Sequence, residues 1–321
     1  CALPIYVDEV IEEIAQVPPL VELGRKLGWR PVPLTIKAGR RFARKWVNGP
    51  ASGEDRQPIT NGQRFSSSTN KSPLLQVQEA WFEYGRDVAA LRGVDVQLRA
   101  GEVVALMGRN GSGKTTLLRG IVNLLRFDGG QVQINGRLTD NRSTAEICRE
   151  VAYLPQNPDD LLFAETVREE LWQTLRNHGL SATETAVDKL LAEVGLSEVA
   201  EAYPRDLSVG QRQRVALAAV MVTNPKLLLL DEPTRGLDYE AKAALVSLWQ
   251  RWQQQGMGML LVTHDVELVA QVANRVVVLS QGEVIAAGPT AEVLTASPLF
   301  APQMAKLFPD KQWLTVADVV G

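Results

Sequence analysis

Cysteine is scarce in this chain of 321 residues, with only Cys1 and Cys148 present. A disulfide framework needs several cysteines at regular spacing, so we expect a reducing, cytosolic environment. Long apolar runs are also lacking, since no stretch approaches the roughly 20 residues that a membrane-spanning helix requires. We therefore expect any membrane role to come through a partner protein.

A surplus of positive charge is missing as well. The formal net charge is −3, so the chain has no overall basic field of the kind that attracts nucleic acid. The shares of hydrophobic residues (45%) and charged residues (22%) are typical of a globular protein. The chain begins at Cys1, with neither an initiator methionine nor a signal peptide, and we expect it to be incomplete at this end.

The composition changes along the chain. Residues 47–73 are rich in Gly, Ser, Pro, Asn and Gln, which predicts a flexible linker. Strand-like and helix-like segments alternate over residues 74–297, which predicts an α/β domain. Residues 298–321 are then a C-terminal extension.

A weak internal repeat relates residues 19–38 to residues 302–318. Each copy runs from a short amphipathic stretch past a tryptophan (Trp29, Trp313) to a Leu-Thr-β-branched triplet. The repeat indicates that residues 1–46 are the tail of a preceding copy of the domain; the alternative is chance similarity between two short segments.

A glycine-rich stretch follows the apolar run Val103–Met107 and precedes a helical pattern. It matches G-x-x-x-x-G-K-[ST] in the strand–loop–helix context of a phosphate-binding loop (P-loop), in which backbone N–H groups surround phosphate oxygens. We predict that Lys114 contacts the β- and γ-phosphates and that Thr115 binds Mg²⁺. The residues predicted to bind ATP here are Gly108, Arg109, Asn110, Gly111, Ser112, Gly113, Lys114, Thr115 and Thr116.

Two adjacent acids follow a second apolar run, Leu227–Leu230. A buried strand that ends in acids places their carboxylates at the edge of a parallel sheet where ligands bind. We predict that Asp231 binds Mg²⁺ and that Glu232 activates the attacking water as a general base.

Residues 74–297 resemble the ATP-binding cassette (ABC) family on a motif that other P-loop enzymes lack. The stretch Leu207-Ser208-Val209-Gly210-Gln211 is similar to the family signature Leu-Ser-Gly-Gly-Gln, with Val209 in place of a glycine. The resemblance implies that this helix start faces ATP bound by an opposing cassette, and that branched Val209 narrows the approach. It also implies a P-loop NTPase core with an antiparallel β-subdomain near 74–100 and a helical subdomain near 158–222.

The resemblance assigns further roles. Gln156 is similar to the Q-loop glutamine that senses Mg²⁺ and water, and Asp238 lies in a stretch similar to the D-loop at the dimer interface. His264 is similar to the switch histidine that contacts the γ-phosphate. Tyr84 resembles the aromatic residue that stacks on adenine, with Phe82 and Trp81 as alternatives.

Residues 156–167 resemble the energy-coupling-factor (ECF) and cobalt-type importers, in which this stretch faces a transmembrane subunit. Leu161, Leu162 and Phe163 are then either an apolar contact for that subunit or helical-subdomain core. Some members of this group fuse two cassettes in one chain. The resemblance implies a second cassette, an integral membrane subunit and a substrate-binding membrane component as partners, at the cytoplasmic face of a bacterial membrane. The alternatives are a soluble ABC ATPase of translation or DNA repair and a degenerate regulatory cassette.

Overall fold

The computed structural model describes residues 17–47, 72–85 and 88–320. The helices in these ranges are α1 (Pro19–Lys26), α2 (Ile36–Val47), α3 (Lys114–Ile121), α4 (Thr144–Ile147), α5 (Val167–Asn177), α6 (Glu184–Glu193), α7 (Val209–Met221), α8 (Tyr239–Gln254), α9 (Val266–Val272), α10 (Thr290–Ala296), α11 (Gln303–Leu307) and α12 (Val316–Val320). The strands are β1 (Leu75–Tyr84), β2 (Val88–Leu98), β3 (Val103–Gly108), β4 (Gly129–Ile134), β5 (Arg137–Leu138), β6 (Val151–Leu154), β7 (Leu227–Asp231), β8 (Gly258–Val262), β9 (Arg275–Ser280) and β10 (Glu283–Pro289). Single 3₁₀ turns are found at Pro158–Leu161, Ser197–Val199 and Pro204–Asp206.

These residues fall into two compact units, which are described separately. One comprises residues 72–264 and 275–287, and the other comprises residues 17–47, 265–274 and 288–320. Most of the predicted linker, like residues 1–16 of the predicted tail, lies outside the described residues.

The first unit contains a six-stranded sheet with the order β10-β9-β3-β8-β7-β6. Strands β9, β3, β8, β7 and β6 pair in parallel, and β7 and β8 are buried along their whole length. The unbroken apolar run Leu227–Leu230 is typical of such a central strand, since helices cover both faces of a parallel sheet. The carboxyl ends of β3, β8, β7 and β6 therefore meet at one edge.

A second sheet in this unit has the order β2-β1-β4-β5 and is antiparallel. It reaches Leu138 and so takes in two strands beyond the predicted range 74–100. Helices α5, α6 and α7 occupy the predicted helical range, each begun by a capping hydroxyl, from Thr166, Thr183 and Ser208 respectively. The predicted fold class, a parallel α/β core with an antiparallel sheet and a helical subdomain, is confirmed.

The second unit is built from short helices around a small aromatic core. Its buried residues include Leu20, Leu23, Trp29, Met304, Leu307, Phe308, Trp313, Val316 and Val319. Within residues 17–47, 72–85 and 88–320, no helix combines the length and apolar character needed to cross a membrane.

Candidate functional site

The loop between β3 and α3 has two positions that accept only glycine. Gly108 has φ 147°, and a Cβ there would lie 2.2 Å from the carbonyl oxygen of Leu279. Gly113 has φ 102°, and its Cβ would lie 2.3 Å from the carbonyl oxygen of Ala90. Any side chain would force the loop apart, so the sequence pattern reflects close backbone approach at both ends of the loop.

Lys114 is buried and folds back into this loop. Its Nζ donates hydrogen bonds to the carbonyl oxygens of Gly108 (2.8 Å) and Arg109 (2.9 Å). Burial lowers the pKa of Lys114, while the nearby carboxylates of Glu232 and Asp231 act in the opposite direction. The ammonium group of Lys114 is thus held inside the loop by backbone carbonyl groups and lies near two carboxylates.

Asp231 is buried at the end of β7, with 1% of its surface exposed. Burial raises the pKa of Asp231 and the Glu232 charge adds to the rise, while a hydrogen bond to Thr115 and the cations of Arg119 and Lys114 oppose it. Its Oδ2 has no hydrogen-bond partner, which is costly for a buried carboxylate oxygen. This open oxygen beside the Thr115 hydroxyl fits a hard divalent cation that takes oxygen ligands.

Such a cation would need ligands from a bound molecule as well. Among residues 17–47, 72–85 and 88–320, no cluster of three or more His, Cys, Asp or Glu side chains is arranged to hold a metal. Mg²⁺ ordinarily uses one or two carboxylates, waters and substrate phosphates rather than an all-protein cage. The donor set here therefore fits Mg²⁺ accompanied by a phosphate-bearing ligand.

Glu232 and His264 follow the neighbouring strands β7 and β8. Nδ1 of His264 lies 3.0 Å from Oε1 and 2.9 Å from Oε2 of Glu232. The backbone of Glu232 has φ 49°, a left-handed conformation uncommon for glutamate, and its N–H donates to the carbonyl oxygen of Val262. His264 is 73% exposed, whereas the Glu232 side chain is 11% exposed. The nearly buried carboxylate of Glu232 thus contacts the solvent-exposed imidazole ring of His264.

Gln156 lies two residues beyond the end of β6, next to β7 in the sheet, and its side chain is exposed. The structure therefore places five features at or just beyond the carboxyl ends of four neighbouring strands of one sheet: Gln156, Asp231, Glu232, His264 and the P-loop.

Tyr84 stands next to the P-loop helix. Its hydroxyl lies 3.3 Å from Oγ1 of Thr116, and the residue is 46% exposed. Phe82 is packed against the core and meets the Tyr84 ring edge-on at 4.8 Å, while Trp81 lies over the backbone of Gly93. Tyr84 therefore contacts the P-loop helix through its hydroxyl.

The signature residues begin α7. Ser208 and Gln211 form a reciprocal capping box, in which the Ser208 hydroxyl accepts from the Gln211 N–H and the Gln211 side chain accepts from the Ser208 N–H. Val209 is 46% exposed, and Gly210 faces Ala241 on α8. Asp238 caps α8 by accepting from the Ala241 N–H at 2.8 Å. Signature and D-loop segments are thus neighbours.

Residues 157–163 contact the start of α7 and the turn that precedes it. Asp159 forms an ion pair with Arg212 at 3.1 Å, and Arg205 donates to the carbonyl oxygen of Leu162. The three apolar residues of this segment differ: Leu162 is buried core, Leu161 is half-buried, and Phe163 is 72% exposed. Leu162 therefore belongs to the core of the helical subdomain, whereas the exposed side chain of Phe163 remains accessible for an apolar contact.

Arg119 and Tyr153 also belong to the site, although the motifs did not single them out. The Arg119 guanidinium on α3 opposes the rise that burial causes in the pKa of Asp231 and of Tyr153. The sequence does contain a basic residue about one helical turn after Lys114 and Thr115, which could have suggested Arg119 as a site residue. Helix spacing alone, however, does not show which strand that residue faces.

Comparisons with known proteins identify the family. A profile of the family described as "ABC transporter" matches residues 91–235. An ABC transporter ATP-binding protein of Pyrococcus furiosus is 39% identical over 213 residues, which is 66% of this chain and 82% of the relative. The chain belongs to the ABC transporter ATP-binding protein family.

Two further similarities concern length and structure. An ABC transporter ATP-binding protein of Streptomyces avermitilis is 42% identical over 332 residues, covering 97% of this chain and 58% of the relative. The chain thus spans little more than half the length of that protein. The solved structure of cbiO1 from Clostridium perfringens, part of the ABC transporter complex cbiONQ, has a TM-score of 0.63 at 29% identity, covering 70% of this chain and 91% of cbiO1. The cassette fold is the shared feature.

Proposed function

We propose that this chain hydrolyses Mg-ATP between two ABC cassettes and thereby powers a membrane transporter. The observation that carries the proposal is the open, buried Oδ2 of Asp231 beside Thr115, next to a glycine loop centred on Lys114. Leaving a buried carboxylate oxygen without a partner costs free energy, and a bound cation offsets that cost. Binding of Mg-ATP supplies that cation together with the phosphates that the loop fits.

The roles of the residues follow from their contacts. Lys114 exchanges its bonds to two loop carbonyls for phosphate oxygens, and Thr115, Asp231 and Gln156 hold Mg²⁺. Bound Mg²⁺ stabilises negative charge that develops on the phosphates. Glu232 accepts a proton from the attacking water, and His264, hydrogen-bonded to Glu232, orients this carboxylate and contacts the γ-phosphate. Tyr84 is the adenine-stacking residue.

A second cassette completes the site in this proposal. The start of α7 presents the backbone N–H groups of Val209 and Gly210, and a helix start favours an anion. Since the Ser208 hydroxyl already caps its own helix, the segment is formed before any partner arrives. Leu207, Gly210 and Asp238 belong to the same surface, which would face ATP held by the P-loop of the opposing cassette.

For the kind of transporter, we propose an ECF-type importer of a vitamin or metal ion. Residues 156–167 resemble that group, and the similar cbiO1 belongs to a transporter complex. Exposed Phe163 is the proposed contact with an integral membrane subunit, at the cytoplasmic face of the membrane, with a separate membrane component that binds the substrate. The ion pair of Asp159 with Arg212 would connect this contact to the signature helix.

The domain assignment belongs to the same proposal. Residues 74–297 are the ATPase cassette, residues 1–46 the tail of a preceding cassette, residues 47–73 a linker and residues 298–321 an extension. The chain would then be the second half of a tandem protein, which suits its 58% share of the Streptomyces avermitilis relative.

The test is Glu232→Gln in the full chain. We expect ATP binding in the presence of Mg²⁺ to persist while turnover falls at least about 100-fold, since general-base catalysis contributes roughly 10²–10⁴-fold. The matched control is Lys114→Ala, for which ATP binding itself should be lost. Wild-type turnover in Glu232→Gln would remove Glu232 from its role, and unchanged ATP binding in Lys114→Ala would reject the P-loop assignment.

A second experiment separates the transporter from a soluble ABC ATPase. Affinity purification from membranes in mild detergent should recover an integral membrane subunit with the wild-type chain and much less with Phe163→Asp. Equal ATPase activity of the two forms would show that Phe163→Asp leaves the cassette folded. Recovery of ribosomes or DNA-repair proteins, with no membrane subunit, would support the soluble alternative.

A further inference from the structure

Helix α2 has a strongly cationic exposed side. Its basic residues are all exposed, and the helix contains no acid. In the described part of the chain, no carboxylate forms an ion pair with any of them, namely Lys37, Arg40, Arg41, Arg44 and Lys45. Like charges four residues apart on a helix repel each other, so this side of α2 favours the approach of an anion.

Helix α2 packs on α11, and a cavity of about 430 Å³ lies between α2 and the turn that follows α11. Arg40, Ala43, Arg44 and Val47 line the cavity from α2. These positions are spaced three or four residues apart, so they share one side of the helix, and the three other cations of α2 do not line the cavity. The volume is in the range of cavities that hold one small organic ligand.

The opposite wall is a tight turn, Phe308–Lys311, which we name the 308–311 turn. The Lys311 N–H donates to the carbonyl oxygen of Phe308 at 3.0 Å, and Pro309 occupies the position at which proline presets the backbone of such a turn. The ring of Phe308 meets those of Trp46 and Trp313 edge-on, with centroids 6.1 and 5.0 Å apart. The turn is therefore supported by the aromatic core of the helical unit.

The lining of the cavity combines apolar surface with positive charge. Apolar side chains come from both walls, and three cations, Arg40, Arg44 and Lys311, stand against one acid, Asp310. Arg40 also donates to the carbonyl oxygen of Lys306 at 3.3 Å, which holds its guanidinium beside the cavity. Such a lining fits a molecule that has both an apolar body and an anionic group.

We propose that the cavity between α2 and the 308–311 turn binds an amphiphilic anion, a small molecule in which a carboxylate or phosphate group is joined to an apolar body. The anionic group pairs with Arg44 and Lys311, and the apolar body packs against Leu307 and Phe308. None of the lining residues belongs to the proposed ATP site. A bound molecule would contact two segments that are far apart in sequence and so stabilise the helical unit.

A free amphiphile fits this site better than the surface of an anionic membrane does. A basic helix on a membrane surface uses its whole cationic side. The cavity selects two of the five cations of α2 and adds Lys311 from the opposite wall. A ligand in the cavity is therefore insensitive to Arg41 and Lys45, which a membrane surface would contact as well.

The probe for the site is anilinonaphthalene sulfonate (ANS), a fluorescent anion with an aromatic body, titrated into the full chain without nucleotide or Mg²⁺. Arg44→Glu combined with Lys311→Glu should weaken ANS binding at least about 10-fold, because charge-assisted contacts are lost and like charges replace them. The matched control is Arg41→Glu combined with Lys45→Glu, which changes the net charge by the same amount at exposed residues outside the cavity. Its affinity for ANS should stay within about twofold of wild type, because exposed charges at a distance are screened.

Folding of the variants is measured alongside, since ANS also binds the exposed apolar surface of partly unfolded proteins. Unfolding temperatures equal to that of wild type and retained ATP binding would show that both double variants are folded. Lys311→Ala alone changes one exposed side chain and should weaken ANS binding about threefold, as expected for a single exposed ion pair. This milder variant keeps the proposal testable if the double variant does not fold.

Competition with ANS identifies the chemical class of the ligand. Decanoate has an anionic head and an apolar body, whereas decanol lacks the charge and inorganic phosphate lacks the body. Decanoate should displace ANS, and decanol and inorganic phosphate should each need at least about 10-fold higher concentration, because each keeps only one of the two kinds of contact.

Three outcomes would overturn the proposal. The first is equal ANS affinity of the wild type and the Arg44→Glu, Lys311→Glu protein. The second is displacement of ANS by decanol or inorganic phosphate as effective as that by decanoate. The third is binding to phosphatidylglycerol vesicles that both double variants abolish while their ANS affinities stay equal, which would assign α2 to a membrane surface.

Discussion

Each of the two units contains a carboxyl group whose pKa is raised by burial, but the two groups differ in their hydrogen bonds. Asp231, at the edge of the parallel sheet, has one oxygen without a hydrogen-bond partner. Burial raises the pKa of Glu267, on α9 in the helical unit, to about 7, and Asp265 adds to the rise. Its Oε1 accepts from the Gln303 N–H at 2.7 Å.

The difference indicates what marks a binding site. A buried acid whose oxygen is satisfied by its own chain holds two segments together, and protonation near neutral pH relieves the cost of its charge. A buried acid with one oxygen unpartnered, beside Lys114 and Thr115, suits the proposed role of Asp231 as a ligand of Mg²⁺. The raised pKa alone would not have distinguished Asp231 from Glu267.

The largest expected effect separates the two acids by function. Asp231→Asn should lower Mg²⁺-dependent ATP turnover at least about 100-fold, because a charged ligand of the metal is lost. Without nucleotide the variant should unfold at an equal or higher temperature than the wild type, because a buried charge has been removed. Steady-state hydrolysis and thermal unfolding measure the two effects.

Glu267→Gln is the matched control for that experiment. It changes a carboxylate to an amide in the same manner, but the amide oxygen still accepts from Gln303 and the residue is outside the proposed site. Its turnover should stay within about twofold of wild type. A loss as large as that of Asp231→Asn would show that the distinction between the two acids is wrong.

The sequence was sufficient for the P-loop and the strand ends. Gly108 and Gly113 were predicted because no other residue permits their backbone geometry and close contacts, and Asp231 because four leucines before an acid leave few other structures. The contact of His264 with Glu232 was not predictable, since it depends on the positive φ of Glu232 and on the order of strands in the sheet.

In the helical unit, by contrast, much of the packing could not be predicted from the sequence. The repeat was visible in the sequence, but the packing of its two copies on each other was not. Contacts between segments that are distant in sequence do not affect the local spacing of residues. The raised pKa of Glu267 was not predictable from the sequence either. An acid in the first turn of a helix is ordinarily solvated, and the contact with the Gln303 N–H is visible only in the folded structure.

A smaller effect tests the structural role of Glu267 by pH. Its pKa is raised in the folded state, so the native protein binds an extra proton and loses stability as pH rises from its ordinary value through about 7. Glu267→Gln removes this loss. Relative to pH 5, its advantage over wild type at pH 8 should grow by about 1–2 kcal/mol in denaturant unfolding, after allowance for solvent screening. An advantage independent of pH would contradict the assignment.

The smallest expected effect concerns Lys306 on α11, whose charge lowers the pKa of Glu267. Lys306→Met should raise that pKa further and destabilise the protein by a few tenths of a kcal/mol at pH 8, where Glu267 is ionised, because exposed charge pairs contribute about that much. At pH 5 the two proteins should be equal, and in a Glu267→Gln background the pH dependence should disappear. The hydrogen bond of Arg40 to the Lys306 carbonyl oxygen survives the substitution, so the change tests charge rather than packing. A loss of the same size at both pH values, in both backgrounds, would mean that Lys306 acts through its methylene groups rather than through its charge.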